Sequence, residues 1–199
     1  MTLRGVTAVV LAAGHSRRMG VPKALAEFRG EGLLRSHLDQ MRRRGAARCI
    51  VVIGDEGDRI RAAHDDREVV WVVNPAPRRG PFSSLVLAVT VGRRLGGAGA
   101  AYLVTPVDVP PASQAVMTAL ARAVADGASA AIPLYGDRGG HPVWLAEDGM
   151  RRVMSASGAP ARLRLDHVMA SWGSAVRRVH VSDAAVLRNL NTPADLLGA

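Results

Sequence analysis

Cysteine, aromatic residues and lysine are all scarce in this 199-residue chain, and each scarcity removes an option. The single cysteine, Cys49, excludes an internal disulfide framework. Its place in the apolar run at 49–53 predicts a small buried hydrophobe in a cytoplasmic protein. Aromatic residues make up 4% of the chain, so the core must be built from Ala, Val, Leu and Ile. No apolar run approaches the roughly 20 residues that a membrane helix needs. Met1 leads into a strand without a basic or apolar leader, so neither a membrane contact nor a signal peptide is expected. Lysine is the rarest of the charged residues: of 26 basic residues, Lys23 is the only one. An ammonium is a compact point charge that the planar guanidinium fork cannot copy, so its single use marks a site that needs it.

The formal charge of +9 and the abundance of arginine raise the question of nucleic acid. The arginines stand in short scattered groups, at 42–44, 78–79, 93–94, 151–152 and 177–178. A basic tail, zinc-finger spacing and a basic face interleaved with aromatics are all missing. A diffuse positive field equally attracts small phosphorylated molecules, which rank ahead of nucleic acid. With 48% hydrophobic and 22% charged residues the composition is that of a globular protein. The length predicts a single domain, 1–199, with no linker or internal repeat.

Apolar runs at 6–11, 49–53, 69–73, 101–104, 128–134 and 175–181 alternate with helical periodicity. Helices are expected after residue 32, at 56–66, after residue 84, and at 114–125, 147–155 and 159–170. Arg42-Arg43-Arg44 followed by Gly45 reads as a helix stop. The acids of 55–66 read as a solvated helix face, and His37 as a satisfied or solvent-facing residue rather than a ligand. Thr192-Pro193-x-Asp195 reads as a helix start. This alternation predicts an α/β fold, a doubly wound, mostly parallel sheet with helices on both faces.

The chemistry concentrates where the first strand ends, in Leu11-Ala12-Ala13-Gly14-His15-Ser16-Arg17-Arg18-Met19-Gly20-Val21-Pro22-Lys23. Small residues, two glycines and fixed cations after a buried strand bring backbone N–H groups and charge to one place, as a triphosphate cradle requires. The spacing is neither that of a Walker A loop nor that of a dinucleotide fingerprint. Three later segments supply partners. Ser83 or Ser84 falls near a helix start, after Asn74 and Gly80, where capping and ligand contact are both open. Asp108 is a lone acid at the carboxyl end of an apolar strand, where open α/β sheets bind ligands and a carboxylate can hold Mg²⁺ against phosphates. His141 sits in a Gly-rich turn, either a hairpin or a substrate loop.

Leu-Ala-Ala-Gly-x-Ser-x-Arg-Met-Gly-x-Pro-Lys resembles the signature of the MobA-like nucleotidyltransferases, within the glycosyltransferase-A-type fold. The likeness continues in order through Gly80-Pro-Phe-Ser-Ser-Leu85, Asp108, Gly140-His-Pro-Val143 and Asn189-Leu-Asn-Thr-Pro-x-Asp-Leu196. The resemblance implies transfer of a nucleoside monophosphate from an NTP to a phosphate oxygen, with release of pyrophosphate. It implies that Leu11, Ala12, Ala13, Gly14, Ser16, Arg18 and Lys23 hold the triphosphate, with Arg18, Lys23 and Asp108 catalytic. It further implies that Asn74, Gly80, Ser83 and Ser84 meet base and ribose, that Asp108 and Asn191 hold Mg²⁺, and that His141 touches the acceptor. Leu-Ala-Ala-Gly and Gly-x-Pro-Lys are more similar to the branch that uses CTP to make molybdopterin cytosine dinucleotide. A molybdoenzyme or its chaperone is then the expected protein partner. Two positions differ from that branch: Val107 precedes the metal acid where Gly is usual, and Asn191 stands where Asp is common. A different phosphorylated acceptor, or a silent nucleotide-binding module, are the alternatives.

Overall fold

The computed structural model describes residues 3–14, 19–64, 66–96, 101–156 and 163–197. At its centre is β1 (Val6–Ala12), buried along almost its whole length. It pairs in parallel with β4 (Arg48–Ile53) on one side and β6 (Ala101–Pro106) on the other. β5 (Val69–Val73) extends the sheet beyond β4. Beyond β6 lie β9 (Val143–Leu145), β7 (Ala130–Tyr135) and β10 (Val176–His180). β9 runs antiparallel to both neighbours, and β10 is parallel to β7. β8 (Arg138–Gly139) folds back on β7 as a hairpin, which settles the Gly-rich turn. A small antiparallel ribbon, β2 (Glu27–Phe28) with β3 (Glu31–Gly32), lies outside this sheet.

Continuous apolar strands demand cover on both faces. Alternate residues of β1 and β4 divide accordingly: Ala8, Val10, Val51 and Ile53 face one core, Val9, Ile50 and Val52 the other. The first core is closed by α1 (Leu33–Arg43), α2 (Gly57–His64) and α4 (Gln114–Ala125), through Leu34, Leu38, Ile60 and Leu120. The second is closed by α3 (Pro81–Arg94), α5 (Glu147–Ser155) and α6 (Leu165–Ala170), through Leu85, Val89, Val153 and Met169. Helices on both faces of a mostly parallel sheet are what the alternation of runs predicts. Cys49 is buried as expected, and burial pushes its thiol up to about 11.

Element ends move by a few residues, for identifiable reasons. The strand expected from 128 begins at Ala130 because α4 ends in a Schellman motif. Gly127 takes φ +95°, its N–H bonds the Val124 carbonyl, and Ala128 N–H bonds the Ala123 carbonyl at 3.1 Å. The helix expected from 159 starts at Leu165 after extended Arg164, and residues 157–162 lie outside those described. A last short helix, α7 (Pro193–Leu197), begins at the Thr192-Pro193 signal.

After β5 the chain crosses back through α3 to β6, on the far side of β1. The winding direction therefore reverses between β1 and β6, and an open α/β sheet splits its loops at such a point.

Candidate functional site

A cavity of about 160 Å³ opens at the carboxyl ends of β1 and β6. Leu11, Ala12, Ala13 and Gly14 form its floor, and Lys23, Gly80, Ser84 and Asp108 line its walls. Eight of the sequence candidates thus meet in one place. Ser16 and Arg18 lie outside the described residues.

The loop after β1 is pressed against the end of β4. A Cβ on Gly54 would stand 2.7 Å from the Ala13 carbonyl oxygen, so only glycine allows this approach. Lys23 opens a 3₁₀ turn, in which Leu25 N–H bonds the Pro22 carbonyl at 2.8 Å. Ala24, in the same turn, is 1% exposed, and its burial pins the backbone that carries the lysine.

Lys23 Nζ donates to Asp108 Oδ2 and to Asn191 Oδ1, each at 2.6 Å. The Lys23 and Asp108 side chains are 18% and 22% exposed, a pair well short of full solvent screening. Two oxygens from segments 83 residues apart therefore converge on one cation. A carboxylate and an amide carbonyl are hard oxygen donors that suit Mg²⁺, which keeps several waters and takes its remaining ligands from phosphate. The donor set fits that ion. Among the described residues no cluster of three His, Cys, Asp or Glu could hold a metal by itself.

Three backbone devices set the Asp108–Asn191 pair. Val107 and Val109 are 5% and 1% exposed, and the chain turns at 107–108 with Val109 N–H bonding the Pro106 carbonyl at 3.3 Å, which holds Asp108 at the cavity between two anchored valines. Asp108 C=O accepts from Leu190 N–H at 2.7 Å, which brings Asn191 alongside. Asp195 Oδ2 then accepts from the N–H groups of Asn191 and Thr192 at 2.9 and 2.8 Å. Thr192 Oγ1 accepts from Asp195 N–H in return at 3.4 Å, the reciprocal capping that Thr-Pro-x-Asp predicts.

His37 belongs to this machinery, although its periodicity marked only a helix face. Its side chain is fully buried in α1, and the ring Nε2 meets the Val109 carbonyl at 2.9 Å. That bond ties the loop of Asp108 to the helix. Burial drives the ring pKa down to about 4, against weaker opposing contributions from the Val109 and Val107 carbonyls and Asp108. His37 is a satisfied histidine on one nitrogen, and it is a positioning residue. Glu56 and Ile60 also line the cavity, which the reading of 56–66 as a solvated face overlooked. Ile60, 2% exposed, was the available signal.

Asn74 and Ser83 stand outside the cavity lining. Asn74 is 2% exposed and spends its amide inside the protein: Nδ2 donates to Ser83 Oγ at 3.0 Å and Ser84 Oγ at 2.9 Å, while Oδ1 accepts from Ala76 N–H. Ser83 donates its hydroxyl to the Gly80 carbonyl instead of accepting from a helix N–H. The start of α3 carries no side-chain cap, and Gly80, Pro81 and Ser84 present that end to the cavity. Asn74 thus braces Ser84 from behind.

His141 lines a neighbouring cavity of about 360 Å³, which shares Leu11, Pro81 and Pro106 with the first. Its walls are mainly apolar, among them Phe82, Leu85, Ile132 and Met169. Burial lowers the His141 ring pKa, and Nδ1 makes no hydrogen bond among the described residues. An Arg164–Asp166 pair, bonded through two contacts of 2.9 Å, contributes to the same lining.

Known proteins resemble this chain in sequence and fold. The model of the MobA-like NTP transferase domain matches residues 8–182. A probable molybdenum cofactor guanylyltransferase of Rhodopirellula baltica is 28% identical over 200 residues, covering 94% of this chain and 88% of the relative. The bifunctional protein GlmU of Chromobacterium violaceum is 30% identical over 135 residues, 67% of this chain but 29% of that protein. The match to GlmU therefore spans under a third of the relative's length. The crystal structure of Rv0371c from Mycobacterium tuberculosis superposes with a TM-score of 0.77 at 26% identity, covering 98% and 96% of the two chains. A complex of Rv0371c with manganese superposes at 0.74 and 25%, covering 98% and 99%. Fold and a family match over most of its length agree: the chain belongs to the MobA-like NTP transferase family of nucleotidyltransferases.

Proposed function

We propose that the protein is a Mg²⁺-dependent cytidylyltransferase that moves CMP from CTP to the phosphate of molybdopterin and releases pyrophosphate. The observation that carries this reading is the convergence of Lys23, Asp108 and Asn191 above the loop 11–14. In this reading residues 1–199 act as one catalytic domain in the cytoplasm, and a molybdoenzyme or its chaperone takes the product.

The acceptor phosphate oxygen attacks the α-phosphorus as the bond from that phosphorus to the bridging β-oxygen breaks, so no covalent enzyme intermediate is needed. Catalysis is then positioning and charge neutralisation. Backbone N–H groups of Ala12, Ala13 and Gly14 meet the phosphates. Lys23 exchanges its two oxygen partners for the α-phosphate, where its compact charge follows the developing negative charge. Arg18 takes the leaving pyrophosphate. Asp108 and Asn191 hold the ion, which when bound neutralises phosphate oxygens. Ser84, braced by Asn74, and Gly80 face the nucleoside. The larger apolar cavity beside His141 receives the acceptor.

Ala13 and Pro22 support cytidine as the base. The Rhodopirellula baltica relative, a probable molybdenum cofactor guanylyltransferase, favours GTP as the second reading. Pyrophosphate release measured with each of the four NTPs, with and without molybdopterin, separates them. The proposal expects release with CTP that requires molybdopterin. Release with GTP alone among the nucleotides transfers the assignment to the guanylyl reading, and release with neither refutes both.

A further inference from the structure

A separate groove of about 430 Å³ shares no lining residue with the active-site cavity. Its charged lining consists of Arg29, Arg43, Arg44 and Arg188 with two acids, Glu31 and Asp183. Both acids are already engaged locally: Glu31 Oε2 accepts from Ser36 Oγ at 3.1 Å, and Asp183 Oδ1 accepts from Ala185 N–H at 3.0 Å. Four guanidinium groups against two carboxylates give the groove a net positive formal charge.

Its polar lining is also incompletely used. Arg44 Nη1 donates to Gln114 Oε1, but the buried Nε makes no hydrogen bond among the described residues. Gln40 Nε2 donates to the Ala112 carbonyl at 2.9 Å. Burial, and secondarily Arg43, lower the Arg44 pKa. An anion spanning Arg43 and Arg44 offsets the repulsion between the two guanidinium groups.

One bank of the groove is the end of α1, with Gln40, Arg43 and Arg44, and the rest comes from the same three segments that build the active site. Phe28, Arg29 and Glu31 follow Lys23; residues 110–113 follow Asp108; and Asp183, Ala185 and Arg188 precede Asn191. We propose that this groove is a second, regulatory anion site for an oligophosphate, held by arginine forks and coupled to the active site through those shared segments. The volume is within the usual range of small-molecule sites. Two sources carry this chemistry, the pyrophosphate product and an intact nucleoside triphosphate. The inference concerns binding and holds whichever base or acceptor the active site uses.

The test is calorimetric titration of the metal-free protein at physiological ionic strength, with pyrophosphate in one arm and CTP in the other. Wild type shows two binding events for the ligand that the groove accepts. The double variant R43Q/R44Q weakens one of them by about tenfold or more, as loss of charge-assisted bonds requires, and keeps the other. Lys23→Ala keeps the event that R43Q/R44Q loses. The arm with the larger loss identifies the source. Arg188→Gln, on a different segment, repeats the test should the double variant fail to fold. A single event in wild type in both arms, or titrations of a folded R43Q/R44Q or Arg188→Gln that superimpose on wild type, overturns the proposal.

Discussion

The two cavities that meet at Leu11, Pro81 and Pro106 both have mainly apolar walls and differ in how their charged groups are set. The smaller has a few charged groups brought to one point by backbone devices; the larger has mainly apolar walls with His141 and the Arg164–Asp166 pair. Phosphates are alike in every nucleotide, so a site that reads them can be compact and polar. An acceptor differs from enzyme to enzyme and is recognised by shape, which dispersed side chains provide. Under the proposed function, chemistry and specificity would occupy different residues here.

The largest expected effect strikes the polar side alone. Asp108→Asn keeps the shape but removes the charge, and turnover should fall about 10²–10³-fold, in the range seen for lost electrostatic stabilisation. Steady-state pyrophosphate release with saturating acceptor measures it, and the acceptor KM should hardly move.

His37 gives a pH signature to the support of that same side. Its folded pKa, about 4, lies below its ordinary 6.5, so the unfolded chain binds the proton first. The contribution is complete above about pH 6.5 and is lost as pH falls toward 4, by roughly 3 kcal/mol in all. Denaturant unfolding of wild type and His37→Leu across this window checks the sign. The variant should be about 1–2 kcal/mol less stable at pH 7, through loss of the bond to Val109, and flatter below.

Ile132→Trp tests the other side. A larger ring in the apolar cavity should raise the acceptor KM about tenfold, the cost of losing one well-fitted apolar contact, and leave the nucleotide KM in place. A matching rise in both would join the two cavities into one. The mildest change sharpens the polar side: Asn191→Asp adds a carboxylate to the ion's ligands and should lower the half-saturating Mg²⁺ concentration by a few fold, roughly as ligand charge tunes hard-cation sites.

The polar side was also the legible side. Strands of β-branched and aliphatic residues buried on both faces announce a parallel sheet, and a loop of small residues with the one lysine announces its carboxyl edge. Asp108 stood out as an acid fenced by valines and prolines. What stayed hidden depends on contacts between segments far apart in the chain. His37 looks like any helix histidine until the Val109 carbonyl lies beside it. Asn74 has the polarity of a ligand contact, and only the positions of Ser83 and Ser84 turn it inward. Glu56 reads as solvated charge because nothing local reveals that α2 starts at the cavity rim. The apolar cavity has no motif at all, since Phe82, Ile132 and Met169 are also ordinary core residues by pattern.

Transfer of the α-phosphate to an acceptor is the central step of the proposed function, and the most direct measurement follows that atom. CTP labelled at the α-phosphorus, incubated with the protein, Mg²⁺ and molybdopterin, should pass its label to the pterin product with one unlabelled pyrophosphate released per transfer. Bound CTP whose label never leaves the nucleotide, with molybdopterin or any other phosphorylated acceptor, would contradict it.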